Sequence, residues 1–402
     1  MQKRTITVAA LAALTAPALL TACTAKDKSA GDAIAVTSTD KACELSSTSA
    51  ATGQITFNVT NNGNKITEFY VYGNNNRVLG EVENIGPGLT GKLTVEIVEP
   101  GTFQAACKPG MVGEGIRKQI TVTGASKEKS QVPASVEAAK ARYLDYVRGQ
   151  VAGLQDQAGK FVAALKADDL QAARDQFGLT RTFWERIEPV AESFPDLDPA
   201  IDMRWDDTED GTTEFTGFHR IERFLWPPQP GEIGDQPGQI SPKDAENAKA
   251  TDNRETIITI ADTMLADINR LATEVNKPDF EFETQSFVKG AQALIDEIAK
   301  TKVGGEEDRY SHTDLWDFAA NIEGAQTLIS EMEQIITAKN PALMSKINDQ
   351  FAAVTTLLAK YQSGDGYISY AQVPEDQRKA LSDAVDALSA TLSQVPGTVL
   401  SQ

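Results

Sequence analysis

Histidine is nearly missing from this chain: two residues in 402, at positions 219 and 312. Cysteine is almost as scarce, with three. Basic residues are outnumbered, 38 against 57 acidic ones, for a formal charge of −19. Such a surface repels nucleic acid and concentrates cations. After the N-terminus, no stretch approaches the roughly 20 apolar residues that a spanning helix needs.

Positive charge at Lys3 and Arg4, the apolar run "TVAALAALTAPALL" and the sequence "LTAC" are what is present first. The run is too short for a membrane span and has the form of an export signal, residues 1–22. Leu20, Thr21, Ala22 and Cys23 resemble a bacterial lipobox, which implies cleavage before Cys23 and a lipid on its thiol. Residues 23–32 then form a polar tether, and the mature chain is expected to be extracytoplasmic, at the membrane by its lipid or in a periplasm. Loss of Lys3 and Arg4 takes the formal charge from −19 to −21.

Composition changes near residue 130. Before it, short alternating runs such as "ITFNV" and "LTVEIV" are punctuated by "NNG" and "NNN" turns. That pattern predicts a small antiparallel β-sandwich over 33–123. A polar linker follows at 124–134. From 135 to 402 the pattern is helical, with eight expected helices at about 136–166, 168–194, 213–226, 242–276, 284–300, 313–338, 341–361 and 374–394. Ser241-Pro242 and Asn340-Pro341 each pair a capping side chain with a proline whose missing N–H costs nothing at a helix start. The fold expected is multidomain: an all-β sandwich, then an all-α helical bundle.

One helical stretch holds "TGFHRIERFLW". His219 and Glu222, three apart, project to nearly the same side of a helix. Imidazole and carboxylate suit iron, zinc or manganese, but two ligands do not complete a site. Acidic residues upstream are candidates for the remainder: Glu185 and Glu188, then Asp198, Asp202, Asp206 and Asp207. No H-E-x-x-H is present. The diiron Glu-x-x-His motif is absent, because Thr216 and Arg309 precede the two histidines by three. The loop "DDTEDGTTEFTG" partly mimics a calcium loop, but Gly217 stands where the bidentate glutamate belongs. Metallocarboxypeptidases use His-x-x-Glu with a distant third histidine, and His312 keeps a zinc peptidase as a rival reading.

"TRTFWERIEPVAESFPDLDPAIDMRWDD", "EFTGFHRIERFLW" and "YSHTDLWDFAANIEGAQ" together resemble the imelysin-like domain of EfeO-type iron-uptake lipoproteins, over roughly residues 133–400. The resemblance implies a helical domain in which His219 and Glu222 help bind ferrous or ferric iron, with Glu185 and Asp202 as acidic partners. Arg223, His312 and Asp314 also match the family pattern. It implies a membrane iron permease and a haem-peroxidase-like protein as partners, and no nucleic acid. Copper or zinc are alternative metals. The family has been classed with peptidases, but no separate general base can be assigned, so a carrier is favoured over a hydrolase. A metal-bridged polysaccharide-binding module is the third reading.

The same resemblance assigns the N-terminal domain a cupredoxin-like fold. A blue-copper centre needs two histidines and a cysteine, and both histidines lie elsewhere. Two alternatives remain for Cys43 and Cys107. They form a disulfide closing about 65 residues, adding about 3–4 kcal/mol under the chain-entropy model. Or they are thiolates holding a second metal with Met111 as a soft ligand and Glu68, Glu44 or Glu114 as oxygen donors.

Overall fold

The computed structural model describes residues 33–73, 78–111, 115–126, 132–208, 213–234 and 239–400. The export signal, Cys23, the tether and Glu114 lie outside these. No helix among the described residues is long and apolar enough to cross a membrane.

The N-terminal part is β-structure. Its strands are β1 (Ile34–Thr39), β2 (Ala42–Leu45), β3 (Ser49–Ala51), β4 (Gly53–Asn61), β5 (Thr67–Tyr72), β6 (Val78–Ile85), β7 (Thr90–Ile97), β8 (Gly101–Pro109) and β9 (Ile116–Thr123). Two sheets face each other, ordered β2-β1-β4-β7 and β3-β9-β8-β5-β6. They are mixed rather than purely antiparallel, since β1 pairs β4 and β3 pairs β9 in parallel. After the β1–β2 pair the chain crosses to the second sheet as β3 and returns beside β1 running the same way. Strands β1 and β4 alternate buried and exposed positions, as strands with one solvated face do. Strand β5 does not: all six residues are buried. Phe69 and Val71 face the sandwich core, while Tyr70 and Tyr72 pack on the outer face with Val78 and Ala106. That outer face is covered by the helical domain.

Helices fill the rest: α1 (Ala134–Lys166), α2 (Leu170–Glu185), α3 (Asp198–Asp202), α4 (Gly217–Leu225), α5 (Pro242–Thr251), α6 (Arg254–Val275), α7 (Thr284–Lys300), α8 (Asp314–Lys339), α9 (Pro341–Leu358), α10 (Glu375–Leu392) and α11 (Val395–Leu400). One continuous apolar core joins α1 to nearly all of the others. Ser241 and Asn340 cap as expected, accepting from the backbone N–H of Asp244 and Leu343.

Two expected helices are broken. The stretch 168–194 leaves α-helix after Glu185 and resumes as a 3-10 turn over Glu188–Ser193, with Pro189 in its first turn. The stretch 242–276 breaks at Asp252, whose carboxylate is held by Arg220 and Arg223. Asn253 then caps α6. The bundle also carries a short hairpin between α9 and α10, pairing Gln362–Ser363 with Gly366–Tyr367.

Candidate metal centre

The site is built where α4 meets α3. Gly217 opens α4 at φ +74°, and a Cβ there would lie 2.2 Å from the carbonyl oxygen of Ile201. Only glycine satisfies both conditions. This close approach brings Asp202, the last residue of α3, against His219 in the first turn of α4.

His219 is 1% exposed and Glu222 fully buried. The i,i+3 spacing closes a contact of 3.0 Å between His219 Nδ1 and Glu222 Oε2. The other glutamate oxygen is already taken. Glu222 Oε1 accepts from the backbone N–H of Tyr310 at 3.0 Å, and from the N–H and Oγ–H of Ser311 at 2.7 and 2.8 Å. Glu222 thereby fixes the imidazole from one side and the loop before α8 from the other.

That loop delivers two further acids. Glu307 Oε1 lies 3.5 Å and Asp202 Oδ1 3.4 Å from His219 Nε2. Asp308 Oδ1 lies 3.7 Å from Nδ1. Two ligand groups result, Asp202–His219–Glu307 and His219–Glu222–Asp308, with ligand atoms within 4.8 Å of one another in each. His219 Nε2 and Asp308 Oδ1 are buried with no hydrogen-bond partner. Buried polar atoms rarely stay unpaired, so such orphans mark where a ligand belongs. One imidazole with several carboxylate oxygens suits ferrous iron, manganese or zinc; the absence of sulfur ligands disfavours cuprous copper.

Arg181 is the internal counter-charge. Fully buried on α2, it contacts Asp202, Glu185 at 2.5 Å, Glu307 at 3.1 Å, and Asp308 and Asp317 at 3.3 Å each. Lys302 Nζ, also fully buried, reaches Glu188 at 2.6 Å and Glu185 at 3.3 Å. Burial and Arg181 press the His219 pKa down. The hydrogen bond to Glu222 and the carboxylates of Glu307 and Asp202 facing the ring outweigh them, and it is pushed up to about 10. Burial raises Asp308 to about 6 against the pull of Arg181. Glu307 moves the other way: despite burial, Lys302, Arg204 and His219 hold it well below the usual range. Without a metal, His219 is therefore the proton-bearing cation of the cluster at neutral pH.

The family model described as imelysin, of the M75 peptidase class, matches residues 139–395, which include this entire cluster. The chain belongs to the imelysin family. A cupredoxin-like domain model matches residues 9–122. The iron uptake system component EfeO of Escherichia coli strain K12 is 34% identical over 370 residues, covering 91% of this chain and 91% of the relative. The same component of Escherichia coli O157:H7 and of Shigella flexneri gives the same identity and coverage. Among solved structures, a putative iron-regulated protein A precursor from Parabacteroides distasonis ATCC 8503 is similar at TM-score 0.43 and 15% identity, covering 67% of this chain and 97% of that one.

Within the imelysin domain, His219, Glu222 and Asp202 come together, and Glu185 does not join them. Its oxygens are engaged by Arg181, by Lys302 and by Asn321 Nδ2 at 2.9 Å. Glu185 sits behind the arginine as part of its cage. His312 is in neither ligand group. It adopts a left-handed backbone at φ 58°, ahead of α8, with Nε2 3.8 Å from Glu232. The zinc-peptidase reading so loses its third histidine. Asp314 is fully buried and accepts from the backbone N–H of Asp308 at 3.3 Å, bracing the loop. Arg223 is structural here, bonded to Asp244 and Asp252 and stacked over Phe215. Glu307 and Asp308 were not among the sequence candidates. The signal was present in "GGEEDRYSHTDLWD", where three consecutive acids stand one residue before a motif of the imelysin pattern.

Of the two alternatives for Cys43 and Cys107, the disulfide is the one that forms. Cys43 on β2 and Cys107 on β8 are joined as a disulfide across the two sheets, with Cα atoms 5.5 Å apart. Neither sulfur is then a thiolate ligand. Glu68 could not join them in any case. On β5, Phe69 is paired with Cys107 and Glu68 with Lys108, so alternation puts Glu68 on the opposite face. Glu44 is exposed and lies 3.9 Å from Lys118. Half-buried Met111 follows β8 in a left-handed turn at φ 62°.

Proposed function

We propose that this chain is the iron-binding component of a bacterial iron-uptake system, working outside the cytoplasmic membrane as a carrier rather than a hydrolase. The observation that carries this reading is His219 Nε2, an unpartnered buried nitrogen facing two carboxylates. The ion takes Nε2 together with Asp202 and Glu307. Glu222 accepts a hydrogen bond from Nδ1–H, which fixes the tautomer and orients the ring, the usual second partner of a metal-binding histidine. Iron and a proton compete for one nitrogen. Capture expels the proton, and reprotonation helps release the ion. Delivery to a membrane permease, association with a haem-peroxidase-like partner and a lipid anchor on Cys23 complete the proposal. They rest on the relatives' role and on the lipobox resemblance.

Anaerobic titration with ferrous iron, in parallel with zinc and cupric ions, tests it on wild type, His219→Ala and Glu222→Gln. His219→Ala should weaken iron binding at least tenfold. Glu222→Gln should weaken it by about 10–100-fold, the range for partners of ligating histidines. Unchanged iron affinity in both variants would refute the site. Peptide cleavage by wild type that His219→Ala abolishes would favour the peptidase.

A further inference from the structure

The two carboxylate oxygens that face His219 Nε2 are already engaged. Asp202 Oδ1 lies 3.4 Å and Glu307 Oε1 3.5 Å from that nitrogen. Arg181 bonds both: Nη1 donates to Asp202 Oδ1, and Nη2 donates to Glu307 Oε1 at 3.1 Å. The imidazole nitrogen itself has no partner. The arginine therefore neutralises the acids without satisfying the histidine. Glu307 has no second oxygen to offer an ion, because Arg204 holds its Oε2 at 3.1 Å. A captured ion and the guanidinium must share the same atoms.

The guanidinium has somewhere else to go. Its Nε donates to both oxygens of Asp317 at 3.3 Å and lies 3.3 Å from Asp308 Oδ1, which accepts no hydrogen bond. Nη2 also donates to Glu185 Oε1 at 2.5 Å. The rings of Phe177 and Phe218 stand 5.9 and 5.7 Å from its central carbon. With these partners Arg181 can release Asp202 and Glu307 without becoming an unpaired buried charge. It cannot leave by losing its proton, as a histidine or lysine could, so it must move.

We propose that Arg181 is a built-in competitor of the captured ion: it holds Asp202 and Glu307 in the metal-free chain, withdraws onto Asp308, Asp317 and Glu185 when the ion binds, and by its repulsion keeps affinity low enough for release. The side chain is fully buried, so solvent screens that repulsion little. Arg181 also weakens the proton on His219. Its removal strengthens both rivals for Nε2, but a doubly charged ion gains about twice what a proton gains. The balance then moves toward the ion.

This proposal rests on the reading of His219 as an iron ligand, and the test separates the two. Ferrous iron is titrated anaerobically into the full chain carrying Arg181→Met, and release into excess chelator is timed. The variant should bind iron about tenfold more tightly than wild type and release it about tenfold more slowly. A side chain that only braces the fold would act in the opposite direction, since its loss loosens Asp202 and Glu307. Weaker or unchanged affinity in a variant with the wild-type circular dichroism spectrum overturns the proposal. Crystals of the wild-type chain, with and without ferrous iron, decide it if the variant fails to fold. The loaded chain should show the guanidinium gone from Asp202 Oδ1 and Glu307 Oε1 and retained on Asp317. A guanidinium still bonded to both ligand oxygens, beside an ion on His219, overturns this proposal alone. Iron affinity unchanged in His219→Ala refutes the inner site, and the competitor falls with it.

Discussion

At the residue scale, one protonated imidazole inside a ring of acids determines the behaviour of the site. With the His219 pKa pushed up to about 10, each ion bound near neutral pH must expel its proton. Iron affinity should therefore rise by about tenfold per pH unit between pH 6 and 9, and about one proton should appear per ion in weakly buffered solution. Loss of that pH slope in His219→Ala is the check. Arg181 has a different role. Its removal would leave Asp202, Glu307, Asp308 and Asp317 buried without their shared cation. Arg181→Met should cost about 3–5 kcal/mol in urea unfolding of the metal-free protein, and added iron should recover part of that loss. The His219–Glu222 pair was legible in the sequence, because i,i+3 spacing on a helix needs nothing else. Glu307 and Asp308 were not, because they lie in a loop more than eighty residues downstream. No local pattern reports which loop folds back onto which helix.

At the element scale, the approach of α3 to α4 determines whether the site exists. Gly217→Ala adds a Cβ that would sit 2.2 Å from the Ile201 carbonyl oxygen, at a φ of +74°. Destabilisation beyond about 1 kcal/mol is expected, and Asp202 should be displaced from His219. The variant should therefore lose iron affinity as well as thermal stability, which titration and melting measure together. Most helices were legible from periodicity and from caps at Ser241 and Asn340. The two that broke, after Glu185 and at Asp252, did so for tertiary reasons. Asp252 is bound by two arginines of α4, an interaction thirty residues away that no propensity records. The burial of all of β5 was equally hidden, because alternation describes a strand with one wet face and this strand has none.

At the scale of the whole molecule, a cross-linked sandwich is set against the helical domain, and both ligand groups around His219 lie within the helical domain. The disulfide spans 64 residues and both sheets. Cys43→Ser/Cys107→Ser should lower stability by about 3–4 kcal/mol yet leave iron affinity unchanged within threefold, because the sulfurs take no part in the site. Differential scanning calorimetry with parallel titration would show both effects. From sequence alone, two cysteines in a chain expected to be exported left disulfide and thiolate metal site as alternatives. The placement of Cys43 and Cys107 on facing sheets, with Cα atoms 5.5 Å apart, resolves them, and that requires the tertiary fold.

The most direct test of the central claim is the position of the ion itself. Crystals of the chain loaded with ferrous iron under argon, with anomalous differences measured on both sides of the iron edge, locate it without assumption. A peak bonded to His219 Nε2, Asp202 and Glu307, with Glu222 still on Nδ1, is the predicted result. A peak on Nδ1 between Glu222 and Asp308, or no iron within bonding distance of His219, would contradict it.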